Sequence, residues 1–252
     1  MPSFKAVLAY DGTSYFGWQK TRSGRSIQET VSQSIFQISG ETAIPEAASR
    51  TDRGVHAEGQ SIQFSLMASY TPSKLQRSLN AVLPSDIRIV NLETAPDRFH
   101  PTLDAIAKEY HYRLSLGIAQ NPFHRLYSWH FRYPLDLSKM EIAAASLLGT
   151  HDFTAFANEP EKDPQCTVHE IQMQFLDDGR FQIKMTGNRF LYKMARTLAG
   201  TLVYVGCGKL PPDCIPALLA SRNRKAAGIT APAHGLYLHQ VFYHPEMKKT
   251  KS

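Results

Sequence analysis

Residues 170–187 read EIQMQFLDDGRFQIKMTG. Two β-rich runs meet at Asp177-Asp178-Gly179, and so short a link joins antiparallel neighbours only. The segment predicts a hairpin and argues against a doubly wound parallel sheet. Working outward, FKAVLAYDG (4–12) predicts a strand ending in an Asp-Gly turn. SIQETVSQSIFQISG (26–40) predicts a helix, with Ile27, Val31 and Ile35 at helical spacing, Ser26 and Glu29 in capping-box relation and Gly40 as the stop. TPSKLQRSLNAVLP (71–84) predicts another, capped by Thr71, opened by Pro72 and ended before Pro84. DIRIVNLETA (86–95) predicts a strand.

After about residue 105 a similar run of elements begins again. AKEYHYRLSL (107–116) predicts a strand with Tyr110, Tyr112 and Leu114 on one face and His111 and Arg113 on the other. DLSKMEIAAASLLG (136–149) predicts a helix with Ser138 and Glu141 as capping box, and NRFLYKMARTLAGTLVYVG (188–206) a strongly amphipathic helix. PPDCIPALLASRNRKAAG (211–228) contains a further helix, and GLYLHQVFYH (235–244) a last strand. The expected class is α+β: two similar αβ halves, ferredoxin-like or RRM-like, sharing a mainly antiparallel sheet with helices packed on it. The expected domains are 1–105, carrying the candidate catalytic aspartate, and 106–252, completing a cleft between the halves.

The composition, with 42% hydrophobic and 20% charged residues, is that of a globular chain rather than a disordered one. Lys and Arg exceed Asp and Glu by 28 − 22 = 6. That excess favours a polyanionic partner, although a merely soluble basic protein would carry it too. Cys166, Cys207 and Cys214 form no CxxC pair, which fits a reducing cytoplasmic compartment and argues against a disulfide framework or a zinc site. The start has no signal-peptide pattern, no stretch approaches the length of a membrane span, and HPEMKKTKS (244–252) reads as a frayed basic tail.

Several motifs fail. VGCGKL (205–210) lacks the first glycine and the final Ser or Thr of a phosphate-binding loop, and reads as a helix stop. None of the ten histidines sits in HExxH spacing. His151-Asp152-Phe153 reads as a turn after the Gly149 stop, with Phe153 and Phe156 packing inward. No GxSxG elbow occurs. A metal site and a nucleotide cofactor therefore have no specific support.

What remains is SRTDRGVHAEGQ (49–60), where Asp52 stands between Arg50 and Arg53. Alone, a Thr-Asp-x-Gly run is good turn chemistry. It keeps company with an aromatic and glycine-rich loop, YDGTSYFGWQ (10–19), and with Tyr110, whose strand neighbours include Lys108 and Arg113. On a helix from 188, Arg189, Lys193 and Arg196 would form a basic stripe. Cations with aromatics between them suit RNA, meeting phosphates and stacking on unpaired bases.

YDGTSYFGWQ, RTDRGVHA (50–57), KEYHYR (108–113), GNRFLYKMAR (187–196) and AGITAPAHGLYL (227–238) occur in the order found in the tRNA pseudouridine synthase A family, which the chain resembles from about residue 4 to residue 243. The resemblance implies an RNA-modifying isomerase that converts uridines 38 to 40 of the tRNA anticodon arm to pseudouridine, without cofactor or metal, as a cytoplasmic homodimer. It implies Asp52 as nucleophile, Arg50 as its partner, Tyr110 as the base-stacking tyrosine and Leu236 as an apolar wall. Arg196 would hold Asp52 or a phosphate, while Arg189 and Lys193 are expected to face the RNA from their helical spacing alone. Arg53, Ser49, Thr102 and His169 depart from the family's pattern, at positions that bear on grip of the tRNA rather than on catalysis. A guanidinium beside a carboxylate favours its charged form and offsets repulsion from phosphates. A non-catalytic RNA-binding protein, or a relative acting on another RNA, would share much of this surface.

Overall fold

The structure is a computed structural model that describes residues 2–159 and 162–244. Along the chain run β1 (Ser3–Tyr10), α1 (Ile27–Ser39), β2 (Glu46–Ala47), β3 (His56–Ser65), α2 (Pro72–Val82), β4 (Ile87–Thr94), β5 (Ala105–Leu116) and β6 (Trp129–Phe131). There follow α3 (Leu137–Ala145), β7 (Gly149–Asp152), β8 (Gln165–Phe175), β9 (Phe181–Gly187), α4 (Met194–Gly206), α5 (Cys214–Ser221) and β10 (Leu236–Tyr243). The class is α+β with mainly antiparallel strands. Contacts divide the described chain into two compact units: residues 2–106 with 237–244, and residues 107–236. The expected second domain, 106–252, differs from this partition in its last strand, which groups with the first unit.

In the first unit β1 lies between β3 and β4, antiparallel to both, and β2 adds to β3 in a ferredoxin-like order. β10 lies parallel to the start of β3, with Tyr237 opposite His56. The period of two along β1 buries Phe4, Ala6, Leu8 and Tyr10, and Phe4 stacks on its cross-strand partner Phe64 at 5.6 Å. Ile27, Val31 and Ile35 of α1 and Leu75 and Leu79 of α2 are buried. Each such side chain contributes about 1.5–3 kcal/mol. Ser26 caps α1 by accepting the Glu29 N–H, and Gly40 closes it in the left-handed region (φ 71°). Thr71 and Pro72 open α2 as expected, but the Thr71 hydroxyl makes no capping bond.

In the second unit β5, β9, β8 and β7 follow one another antiparallel, with β6 parallel to β5. The 170–187 hairpin forms: Leu176 O accepts the Gly179 N–H, and Gly179 takes φ 81°. β5 is buried on both faces, so the alternation sorts neighbours rather than core from solvent. Tyr112 and Leu114 pack apolar on one face, while Glu109 on the other bonds His111 (2.7 Å) and Lys184 (3.3 Å).

Three expectations need correction. The helix expected from 188 begins at Met194, because Asn188 still pairs with Thr167 of β8 and Lys193 adopts φ 61°, which no continuous helix allows. That helix, α4, is apolar on nearly every side and buried almost throughout, as suits a core helix rather than an amphipathic one. The cap of α3 is Asp136, whose carboxylate accepts the Lys139 N–H, not Ser138. His151 and Asp152 lie in the short strand β7, with Phe153 and Phe156 buried beyond it. The cysteines are free thiols. Among the described residues no helix is long and apolar enough to cross a membrane.

Removing the Ser26 hydroxyl tests the cap. Ser26→Ala is expected to lower unfolding free energy by about 1 kcal/mol with an unchanged denaturant slope, as read from urea melts.

Candidate active site

Asp52 sits in a half-buried turn between β2 and β3, where Asp52 O accepts the Val55 N–H (3.1 Å) and Gly54 takes φ 77°. The turn is held from both ends. On the approach, the buried Gln60 side chain donates to Ser49 O (2.6 Å) and accepts the Ser49 N–H (3.2 Å), a two-point clamp on one residue. At Thr51, the hydroxyl bonds Tyr10 Oη (2.7 Å) and the carbonyl accepts the Trp18 N–H (3.0 Å). Gln60 also donates to Tyr10 Oη (3.4 Å), which links the two holds.

The 11–18 loop supplies the other wall. A Cβ on Gly12 would stand 2.0 Å from Val55 O, and one on Gly17 (φ 88°) 2.6 Å from Thr51 O. Only glycine lets the loop lie so close to the Asp52 backbone. The loop is anchored by Tyr15, whose hydroxyl donates to Asp86 (2.7 Å); burial and that carboxylate push the phenol well above its ordinary range. His56 is buried after the turn, stacks on Tyr237 at 4.8 Å and accepts the Gly12 N–H on Nδ1.

Arg50 is exposed, and among the described residues no ion pair joins it to Asp52. The Gln60 clamp on Ser49 fixes the neighbouring backbone without using the Arg50 guanidinium. Arg53, also exposed, lies over the Phe16 ring at 4.2 Å.

Tyr110, Arg189, Lys193, Arg196 and Leu236 belong to the second unit. Tyr110 is buried on β5, its ring edge-on to Phe190 at 4.9 Å. Arg196, in the first turn of α4, donates from Nε to Ala231 O (2.7 Å), and Ala231 N–H returns a bond to Arg196 O (3.1 Å). These bonds fasten the 227–238 segment to α4, where Gly200 and Gly228 permit backbone contact. Leu236 is buried at the start of β10, just after Gly235, which packs on the Tyr112 ring. The basic stripe is not formed: Arg189 precedes the helix and pairs with Asp163 (3.2 Å), and Lys193 lies over Tyr192 (4.7 Å).

Residues 6–104 and 143–244 match the tRNA pseudouridine synthase family. The chain belongs to that family. It is 47% identical over 248 residues to tRNA pseudouridine synthase A 2 of Protochlamydia amoebophila (strain UWE25), covering 96% of this chain and 95% of that protein. It is 43% identical over 243 residues to tRNA pseudouridine synthase A of Bacillus pumilus (strain SAFR-032), covering 95% and 98%. A solved Cbf5-Nop10-Gar1 complex matches with a TM-score of 0.41 and 12% identity over 95% of this chain and 50% of that chain, too remote to bear on function.

As a member of the tRNA pseudouridine synthase family the chain is an isomerase. The supports that sequence reading missed are Tyr10, Thr51, Gln60 and His56; Gly12 and Gly17 were the available signal, since paired glycines in an aromatic loop mark close backbone approach. Tyr10→Phe removes the hydroxyl shared by Thr51 and Gln60. It is expected to cost about 1–2 kcal/mol of stability and to lower kcat more than it raises KM, as read by denaturation and steady-state kinetics.

Proposed function

We propose that the chain isomerises uridine to pseudouridine at positions 38, 39 and 40 in the anticodon arm of tRNA, with Asp52 as nucleophile and no cofactor. The reaction breaks the N1–C1′ bond, turns the uracil and joins C5 to C1′; the C5 proton is lost and N1 gains one. No electrons enter or leave, so the chemistry asks for no redox partner. It asks for a group that can attack and then depart, and an ionised carboxylate does both. Attack at C1′, attack at C6, and abstraction at C2′ to begin elimination all start from the same oxygen.

The observation that carries this reading is the Asp52 turn, pinned through Ser49 and Thr51 so that the carboxylate is delivered by a rigid backbone. Such positioning is what nucleophilic catalysis needs. A base in a stem must be flipped out at a cost of a few kcal/mol. In this reading the unpaired Arg50 guanidinium meets a phosphate or fills the vacated stack, Tyr110 stacks on the uracil and Leu236 lines the site. The protein works as a homodimer.

Tritium release from C5-labelled tRNA, in buffer with chelator and no added cofactor, tests the reading. Wild type is expected to turn over, whereas Asp52→Asn keeps its fold and tRNA affinity but releases nothing above background; substantial conversion by that variant refutes the nucleophile. Tyr110→Phe keeps the stacking face and is expected to stay active within a few-fold of wild type; a loss of about 10²-fold or more would make the hydroxyl a proton carrier.

A further inference from the structure

Lys108 is the residue of β5 that the reading above leaves unused. It lies two positions before Tyr110 and so on the same face of the strand. Its cross-strand neighbour is Gly187, and a Cβ there would touch the Phe190 ring at 3.3 Å. Phe190 in turn meets the edge of Tyr110, so lysine, tyrosine and phenylalanine border one patch of the second unit. Lys108 is nine-tenths buried as a residue, and no carboxylate bears on its ammonium, only burial and Arg189. The acids nearby are taken: Glu109, on the opposite face, by His111 and Lys184, and Asp163 by Arg189. The charge that does bear on Lys108 is another cation, Arg189.

A buried cation without a counterion is unfavourable for folding, and a neutral carbonyl would not supply the missing charge. We infer that Lys108 binds a backbone phosphate of the substrate RNA beside the nucleotide that stacks on Tyr110. The inference rests on the proposed placement of that nucleotide. Phosphate provides a full negative charge and displaces counterions on binding. Burial first, and Arg189 second, lower the lysine to about 8 in the free protein. A phosphate contact needs the protonated form, so affinity is strongest below that value and weakens as pH rises through it. The other charged side chains of β5 and β9 close to it in sequence or register, Glu109, His111 and Lys184, are tied to one another on the far face.

Binding of an unmodified tRNA transcript, measured against salt and pH, tests this with Lys108→Gln and Lys108→Arg. Lys108→Gln is expected to weaken binding about tenfold and to reduce the slope of log K against log salt by about one phosphate, roughly 0.7–0.9. KM should rise with little change in kcat. Lys108→Arg should retain the slope and lose the weakening of affinity above about pH 8. Removing an unpaired buried charge should leave Lys108→Gln at least as heat-stable as wild type, so weak binding cannot be ascribed to unfolding. Unchanged affinity and salt slope in Lys108→Gln overturn the contact. If that variant lowers the slope while wild type forms no pseudouridine, the phosphate contact stands and the isomerase reading falls.

Discussion

The structure of the candidate site depends on how the backbone on either side of Asp52 is held. A turn with Gly54 in the left-handed region has few bonds of its own. Here two buried side chains from regular strands restrain it, Gln60 of β3 at Ser49 and Tyr10 of β1 at Thr51, and they bond to each other. The rigidity of an antiparallel strand pair is thereby passed to a loop residue. The 11–18 loop, brought close by Gly12 and Gly17, restrains the turn from the other side. Reactive groups on loops are precise only when borrowed order of this kind reaches them.

Among the described residues, some cations are tied down and others are not. Arg180 with Asp178, Arg189 with Asp163, and Arg224 with Gly228, Thr230 and Asn158 are fully engaged in holding loops. Arg180 and its hydrogen bonds hold Asp178 down to about 2, the mark of a structural pair. Arg50, Arg53 and Lys108 have no carboxylate among the described residues. None of these charges is neutralised by an acid, though Arg53 lies over the Phe16 ring, and they are available to a polyanion.

Much of the fold was legible because its signals are local. Ser26, Gly40, Pro72 and Gly179 act within four residues of themselves, and each lies where the pattern put it. The strands of two to four residues, β2, β6 and β7, were not legible, since so few residues show no period. NRFLYKM misled because its apolar spacing is helical while Asn188 and Lys193 are fixed by a strand pairing and a left-handed turn that no local propensity announces. At the site, Asp52 stood out by the arginines beside it and Tyr110 by its basic strand neighbours, but their roles came only from resemblance. Tyr10 meets Thr51 from 41 residues away, a contact that periodicity does not encode.

The first unit contains β10, whose residues follow the whole of 107–236. Its hold is substantial: Tyr243 Oη donates to Pro101 O (2.7 Å), and Lys5 of β1 lies over both the Tyr243 and Phe99 rings (4.8 and 5.3 Å). As the polypeptide emerges from the ribosome, the half begun first cannot be finished first. Its opening segment must wait, with the edge of β3 uncovered beside His56, until the intervening half has been made. Nascent-chain maturation should therefore run out of order, residues 107–236 becoming protease-resistant before residues 2–106.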